Sequence, residues 1–549
     1  MTSHPLAAAA APCSRGGLRW GIVETIWIFL IFFLAAATPT PDAGESHYWV
    51  KARHSWNPAW CPGDLFLESR DAHLTFDWTF GWLTLIGSLD VATWIARLVA
   101  WGLLAWAWRR LSWAIVPVPL WSLVSAGVML LLARHLHLSR ELVLRGGVEA
   151  KTVAYVFVFL ALEAVARGRW SAALLLAGGA GAFHVLVGGW LAVAVGCACF
   201  AWCLTSKERL DYRAISLAAV GGLLLALPGL VPALLLNQGA DVETTREAAR
   251  IYVFERLPHH LVFHRFEPWF IARFAALVAV WVALAIWTGR FCPRLVPVQL
   301  VVAGAVLLAV VGVLLDQGAV LNERMESRGY LEYQQRAATW LRYYWFRLAD
   351  VLVPVGAALA LVAGIQQLQT LRPQLANWLL VVAIVVAGGD LVLVRRERGE
   401  QRLPGAALQQ QQRDARRWAD WRAACRWIER NTPPAAKFLT PRQQQTFKWH
   451  AQRAEVATWK DIPQDARGIV AWERARSEVY PASLAHRRHD LGAFTDAELV
   501  ALAHKYGATY LLLDQSIAGR PILLPKVYPL AGETNDSFTV FRVPARVGP

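Results

Sequence analysis

The sequence predicts an α-helical polytopic membrane protein carrying a small α/β domain at its C-terminal end, and three observations carry that reading. Of the 549 residues, 56% are hydrophobic and only 17% charged, with mean hydropathy +0.35; a soluble chain of this length holds about a quarter charged residues. Apolar runs of about 20 residues, enough for a helix to cross a bilayer, recur from residue 20 to residue 394. From about 396 the composition turns to that of soluble protein, so the chain divides into a membrane part, 1–395, and an α/β domain, 396–549.

In chain order, spans are predicted at 20–38, 82–108, 112–133, 152–166, 170–184, 186–204, 214–236, 269–288, 295–315, 347–365 and 376–394, about eleven in all. The first reads as a retained helix, because Gly21–Ala37 is longer than a signal-peptide core and no clear small-residue cleavage site follows. Lys and Arg of the short loops set the orientation. Arg15, Arg19, Arg109, Arg110, Arg167, Arg169, Lys207, Arg209, Arg213, Arg290, Arg294 and Arg372 all fall on one side when the N-terminus is cytoplasmic. Arg395, Arg396 and Arg398 fall on the other, where a long domain crosses regardless of charge. The segments 38–82, 134–151, 237–268, 316–346 and the C-terminal domain are then extracytoplasmic, as expected of a protein of the bacterial inner membrane.

The net charge of +15 and pI near 9.8 follow from such loops and from contact with anionic lipids. Membrane lipids are expected partners and nucleic acid is not. Seven cysteines show no CxxC spacing. Cys197, Cys199 and Cys203 lie on an apolar helix as packing groups; Cys61 and Cys425 share the outer side, and a bridge between them is an open option.

In the last domain, Trp418, Trp421, Cys425 and Ile428 recur at helical steps up to Asn431. Strands are predicted at 437–440, 455–459, 509–514 and 537–543, and helices at 465–479 and 496–506, the latter stopped by Gly507. The polar, aromatic stretch Phe438–His450 suits either a glycan contact or a domain edge.

The segment 38–82 is more than a connector. It mixes Asp42, Glu45, Asp64, Glu68, Asp71 and Asp77 with His47, His54, His73 and several tryptophans, residues that favour a folded loop at the headgroup level. Its Gly44-Glu45-Ser46-His47-Tyr48 run, an acid before a His-Tyr pair just after the first span, resembles the GT-C class of membrane glycosyltransferases, such as protein O-mannosyltransferases and lipid A aminoarabinose transferases. The resemblance implies a GT-C-like helical architecture, a polyprenyl-phosphate-linked sugar donor and an extracytoplasmic glycan, lipid or protein acceptor. It implies Glu45 as the base, with Asp42 second. It names no cofactor and leaves a divalent cation as an option.

Sugar transfer from a lipid phosphate needs a base for the attacking hydroxyl and cations for the leaving phosphate, and Arg can grip two phosphate oxygens at once. His47 and Tyr48 stand beside the base. The next outer loop carries Arg145, two glycines, Glu149 and Lys151; His184 ends the fifth span. Arg256, His259, His260 and Arg265 crowd one loop, and Arg347 and Asp350 share a helix face. The HH-x3-H spacing of His259, His260 and His264 lacks a fourth zinc ligand, so no metal site is assigned. Rival functions are a ligase or polymerase of lipid-linked glycans, a transporter, or a scaffold. A transporter would favour a midplane site and paired repeats, whereas the charges here gather at one face.

Overall fold

The computed structural model describes residues 15–144, 146–206, 210–316, 327–399, 408–442, 445–481, 491–516 and 520–545. Seven helices are long and apolar enough to cross a membrane: Leu89–Ile115, Val185–Thr205, Tyr212–Leu235, Pro268–Thr288, Val296–Leu315, Arg347–Leu371 and Pro373–Arg398. Three shorter apolar helices, Trp20–Ala36, Trp121–His135 and Trp170–Phe183, and the 17-residue Ala150–Ala166 lie where further spans are predicted. Large apolar side chains such as Phe200, Leu224, Val385 and Leu393 are exposed on this bundle, a surface suited to lipid. The described chain is mostly helical, and its long apolar helices suit a membrane.

Two spans are shifted from their predicted bounds. The Ser88 hydroxyl accepts the Val91 N–H at 3.3 Å and so starts the second span at Leu89; residues 83–86 form a separate turn of helix. The third starts at Trp121, beyond Pro117 and Pro119, whose missing N–H groups interrupt the ladder.

Arg347–Leu371 is the central helix, buried along nearly its whole length. It packs on Trp121–His135, Pro268–Thr288, Val296–Leu315 and Pro373–Gly399. On one flank, Trp170–Phe183 and Tyr212–Leu235 meet through small residues: a Cβ on Gly178 would lie 2.1 Å from the Gly222 carbonyl oxygen. Close backbone approach of this kind supplies the packing that water-driven association cannot supply in lipid.

Residues 38–88 fold on top of one end of the bundle, here the loop end. Their helix Glu45–Trp56 and the turns after it bury Trp49, Phe66, Phe76 and Phe80 against Trp449 and Ala454 of the C-terminal domain. That domain holds a five-stranded sheet in the order β2-β1-β3-β5-β4: β1 is Lys437–Leu439, β2 Ala454–Glu455, β3 Tyr510–Asp514, β4 Lys526–Tyr528 and β5 Phe538–Arg542. β1 runs parallel to β2 and β3, with Phe438 opposite Tyr510, and β5 is antiparallel to β3 and β4. β4 escapes the pattern because three residues ahead of Pro529 are too short to alternate. Helices Leu408–Asn431, Ala466–Val479 and Asp496–Tyr506 flank the sheet, and Gly507 ends the last of them at φ +69°. Cys61 and Cys425 are both buried free thiols, so the optional bridge is not made.

Candidate functional site at the loop end

Four segments converge at the loop end: residues 38–48, the connection 136–149, His184 and the start of the central helix. Asp350 organises the second of them. Fully buried, it accepts N–H groups from Leu138 at 2.6 Å, Ser139 at 2.8 Å and Glu141 at 3.2 Å, and the Ser139 hydroxyl at 2.7 Å. Expected as a substrate ligand, Asp350 has its oxygens committed to this loop instead.

The loop so held carries Glu141 to Arg347, whose Nη2 donates to Oε1 at 2.8 Å. Lys151 Nζ stands 3.2 Å from both Glu141 Oε2 and Glu149 Oε2. Burial raises the Glu141 carboxyl, but Arg347 and Lys151 outweigh it and hold it well below the usual carboxylate range. Arg347 Nη1 donates to His184 Nε2 at 2.9 Å. A guanidinium can only donate, so that imidazole nitrogen carries no proton and the ring is neutral. The backbone at His184 is extended (φ −148°, ψ 99°), which breaks the helix and lets the ring enter the site.

Aromatic hydroxyls surround these charges. The Arg347 guanidinium lies 3.7 Å from the Tyr344 ring centroid, and Tyr344 Oη is 3.0 Å from Tyr252 Oη. Arg256 is buried over the Trp459 ring at 5.2 Å. The Nε atoms of both Arg347 and Arg256 are buried without a hydrogen-bond partner, so each guanidinium keeps a donor to spare. His73 enters from the 38–88 segment: its ring centroid is 5.4 Å from that of His184, its Nε2 3.4 Å from Tyr48 Oη and its Nδ1 3.3 Å from Asp71 Oδ1. Burial works against the Asp71 carboxylate, but the His73 ring prevails and holds it down at about 2.

Glu45 occupies a different kind of place. It is fully buried, gripped at both oxygens by Arg97 (Nε–Oε1 2.8 Å, Nη2–Oε2 2.6 Å) and by the Val148 and Asp42 N–H groups at 2.9 Å each. Gly147 permits this approach: a Cβ there would lie 2.1 Å from the Glu45 carboxyl carbon. Asp42 accepts the Thr38 hydroxyl at 3.3 Å and lies 3.9 Å from Arg398. A base needs an open lone pair within reach of its proton donor, and Glu45, holding four N–H groups, offers none in this arrangement.

His47 faces the C-terminal domain, with Nδ1 3.4 Å from Asp461 Oδ1. His260 Nδ1 donates to the Ser139 carbonyl at 2.5 Å, and His259 lies against His260, their ring centroids 4.1 Å apart. Arg265 is exposed, and Arg145 lies outside the described residues. His264 pairs with Asp316 at 2.8 Å, so the three histidines of that loop do not share a ligand. Among the described residues no group of three His, Cys, Asp or Glu is placed to hold a metal ion.

A second charged cluster fastens the C-terminal domain over the site. Lys448, buried, contacts Glu455 Oε1 and Asp461 Oδ2 at 2.6 Å each and Asp64 Oδ2 at 3.4 Å. Asp64 also accepts the Glu455 N–H at 3.0 Å. Burial lowers the lysine and raises Asp461, but their attraction wins: Lys448 is held well above its ordinary value and Asp461 below. Burial pushes Glu455 up to about 7 from an ordinary 4.5. A carboxyl raised on folding adds stability that is complete below its unfolded value and lost as pH rises through its folded one. Melting temperature is therefore expected to fall between about pH 5 and about pH 8, and Glu455→Gln should flatten that slope.

Sequence reasoning named His73 within the 38–82 segment without giving it a task, and passed over Glu141, Tyr344 and the Lys448 cluster. Glu141 lies in the same outer loop as Arg145 and Glu149, between Arg140 and Leu142, and only its buried partners set it apart from them. Residues 419–479, which include Lys448, Glu455, Trp459 and Asp461, match a family described as a domain of unknown function, DUF6798. No curated protein matches the chain.

Proposed function

We propose that the protein is a membrane glycosyltransferase that moves a sugar from a polyprenyl-phosphate donor to an extracytoplasmic glycan, lipid or protein. One observation carries the reading: Arg347 and Lys151 stand at the starts of apolar helices and Arg256 ends a short helical turn beside them, beneath a folded roof, with guanidinium N–H groups unspent. In this reading the donor phosphate takes Arg347 from Glu141, and the cations meet the charge that grows as the sugar C–O bond breaks. We assign the base to His73 in the tautomer that carries its proton on Nδ1, held toward Asp71 once the Gln464 amide gives up its 2.9 Å contact with that nitrogen. The acceptor oxygen attacks the anomeric carbon, its proton passes to His73 Nε2, and the lipid phosphate leaves with the bonding electron pair. Glu45 and Asp350 act as positioning residues.

The same proposal places about eleven spans in a bacterial inner membrane with a GT-C-like arrangement and a cytoplasmic N-terminus. Its support is that Arg109, Arg110, Arg167 and Arg169 gather around one cavity formed where Leu89–Ile115 and Ala150–Ala166 end, whereas the loop-end site gathers where these helices begin.

The test is transfer by purified protein in liposomes containing radiolabelled polyprenyl-phosphate sugars. Arg347→Ala is expected to slow transfer about 10²–10³-fold, the loss typical of removing one charge-stabilising donor. His73→Ala is expected to cost about 10²–10⁴-fold. Wild-type rates in both folded variants, or no donor consumed by the unaltered protein, would refute the assignment.

A further inference from the structure

The opposite end of the bundle holds a cavity of about 370 Å³ lined by Arg109, Arg110, Trp113, Glu163, Arg167 and Arg169. Two helix ends line it: Arg109, Arg110 and Trp113 lie near the end of Leu89–Ile115, Glu163 near the end of Ala150–Ala166, and Arg167 and Arg169 just after it; Glu24 of the first helix stands behind Arg109. Glu163 is the hub: its side chain is 3% exposed, and Arg110, Arg167 and Arg169 reach it at 3.2, 2.5 and 2.9 Å. Glu24, fully buried, takes Arg109 at 3.0 Å and the Leu120 N–H at 2.6 Å. Four guanidiniums thus face two carboxylates, an excess of two positive charges.

That excess points into reachable space. The Arg110, Arg167 and Arg169 side chains are 39, 42 and 51% exposed, and Arg110 Nε is a buried donor without a partner. Trp113 and Trp106 lie under the Arg109 and Arg110 guanidiniums at 4.4 and 5.2 Å, and Trp marks the depth of lipid headgroups. Orienting a membrane protein requires only that its loops be basic. It does not require that arginines from two helix ends converge on one buried glutamate and leave a cavity between them.

We propose that this cavity binds a phosphate-bearing anion, supplied either by a lipid headgroup or by a soluble phosphate. Planar guanidiniums at several angles match phosphate oxygens by paired N–H donors, and basic pockets between spans are suited to anionic headgroups. The inference stands apart from the transferase reading, because none of its residues belongs to the loop-end site.

The experiment measures ligands retained by the full-length protein by native mass spectrometry. It uses vesicles of phosphatidylglycerol, vesicles of phosphatidylcholine, and inorganic phosphate or pyrophosphate in neutral detergent. Retention of phosphatidylglycerol over phosphatidylcholine identifies a headgroup site, and saturable retention of inorganic phosphate or pyrophosphate identifies a soluble ligand. In either case Arg110→Gln with Arg169→Gln should weaken binding about fivefold per charge removed. The Lys pair at these positions should recover part of the loss, and the melting temperature shows that each variant is folded. No saturable retention in any arm, or equal retention by wild type and the folded Gln variant, would overturn the proposal.

Discussion

Arg97→Met is expected to destabilise the protein by about 3–5 kcal/mol, the cost of leaving one charge of a buried pair without its partner. The Arg97 side chain and that of Glu45 are both fully buried, so water cannot solvate the carboxylate left behind. Arg97 also donates to the Thr38 carbonyl at 2.5 Å, which fixes the exit of the first helix, so its loss loosens the backbone as well. Thermal unfolding in detergent checks the size of the effect. A Glu45→Leu/Arg97→Met double variant should recover most of the loss, because replacing both charges removes the orphan. A single variant within about 1 kcal/mol of wild type would show that the pair is not isolated from solvent.

Lys448→Met should have a comparable effect on the C-terminal domain. It removes the one cation in contact with Asp64, Glu455 and Asp461 among the described residues, and three buried carboxylates then confront each other. The expected loss is about 3–5 kcal/mol, concentrated where the domain meets the 38–88 segment. Limited proteolysis reads it directly: the variant should be cut within 38–88 under conditions that leave wild type whole. An unchanged digestion pattern would mean that the apolar contacts of Trp49, Phe66 and Trp449 suffice to hold the two together.

Helices were legible wherever composition decided them. The runs of Leu, Val and Ala located Val185–Thr205, Pro268–Thr288 and Val296–Leu315 to within a residue or two of their bounds. The second span was misplaced because Leu83, Leu85 and Ile86 are as apolar as a span, while Leu83 belongs to the core of the loop segment. For the site, sequence reasoning collected many residues that do converge: Glu45, Asp42, Tyr48, Glu149, Lys151, His184, Arg347 and Asp350. It could not apportion their tasks. Whether an acid is open or sealed depends on what reaches it from far along the chain: Arg97 for Glu45, and the Leu138–Glu141 backbone for Asp350. Backbone N–H groups leave no mark in the side-chain pattern. The Lys448 cluster was invisible for the same reason, since its members come from two parts of the chain.

That separation bears on biosynthesis. The Asp64 carboxylate and the Glu455 N–H that it accepts are 391 residues apart in sequence. At about 5–20 residues per second, a ribosome delivers the second partner roughly 20–80 s after the first. For that interval the newly made segment around Asp64 waits with acidic groups meant for an interior still facing solvent. Maturation of this part of the protein is therefore a late event, completed only after residue 455 has been synthesised.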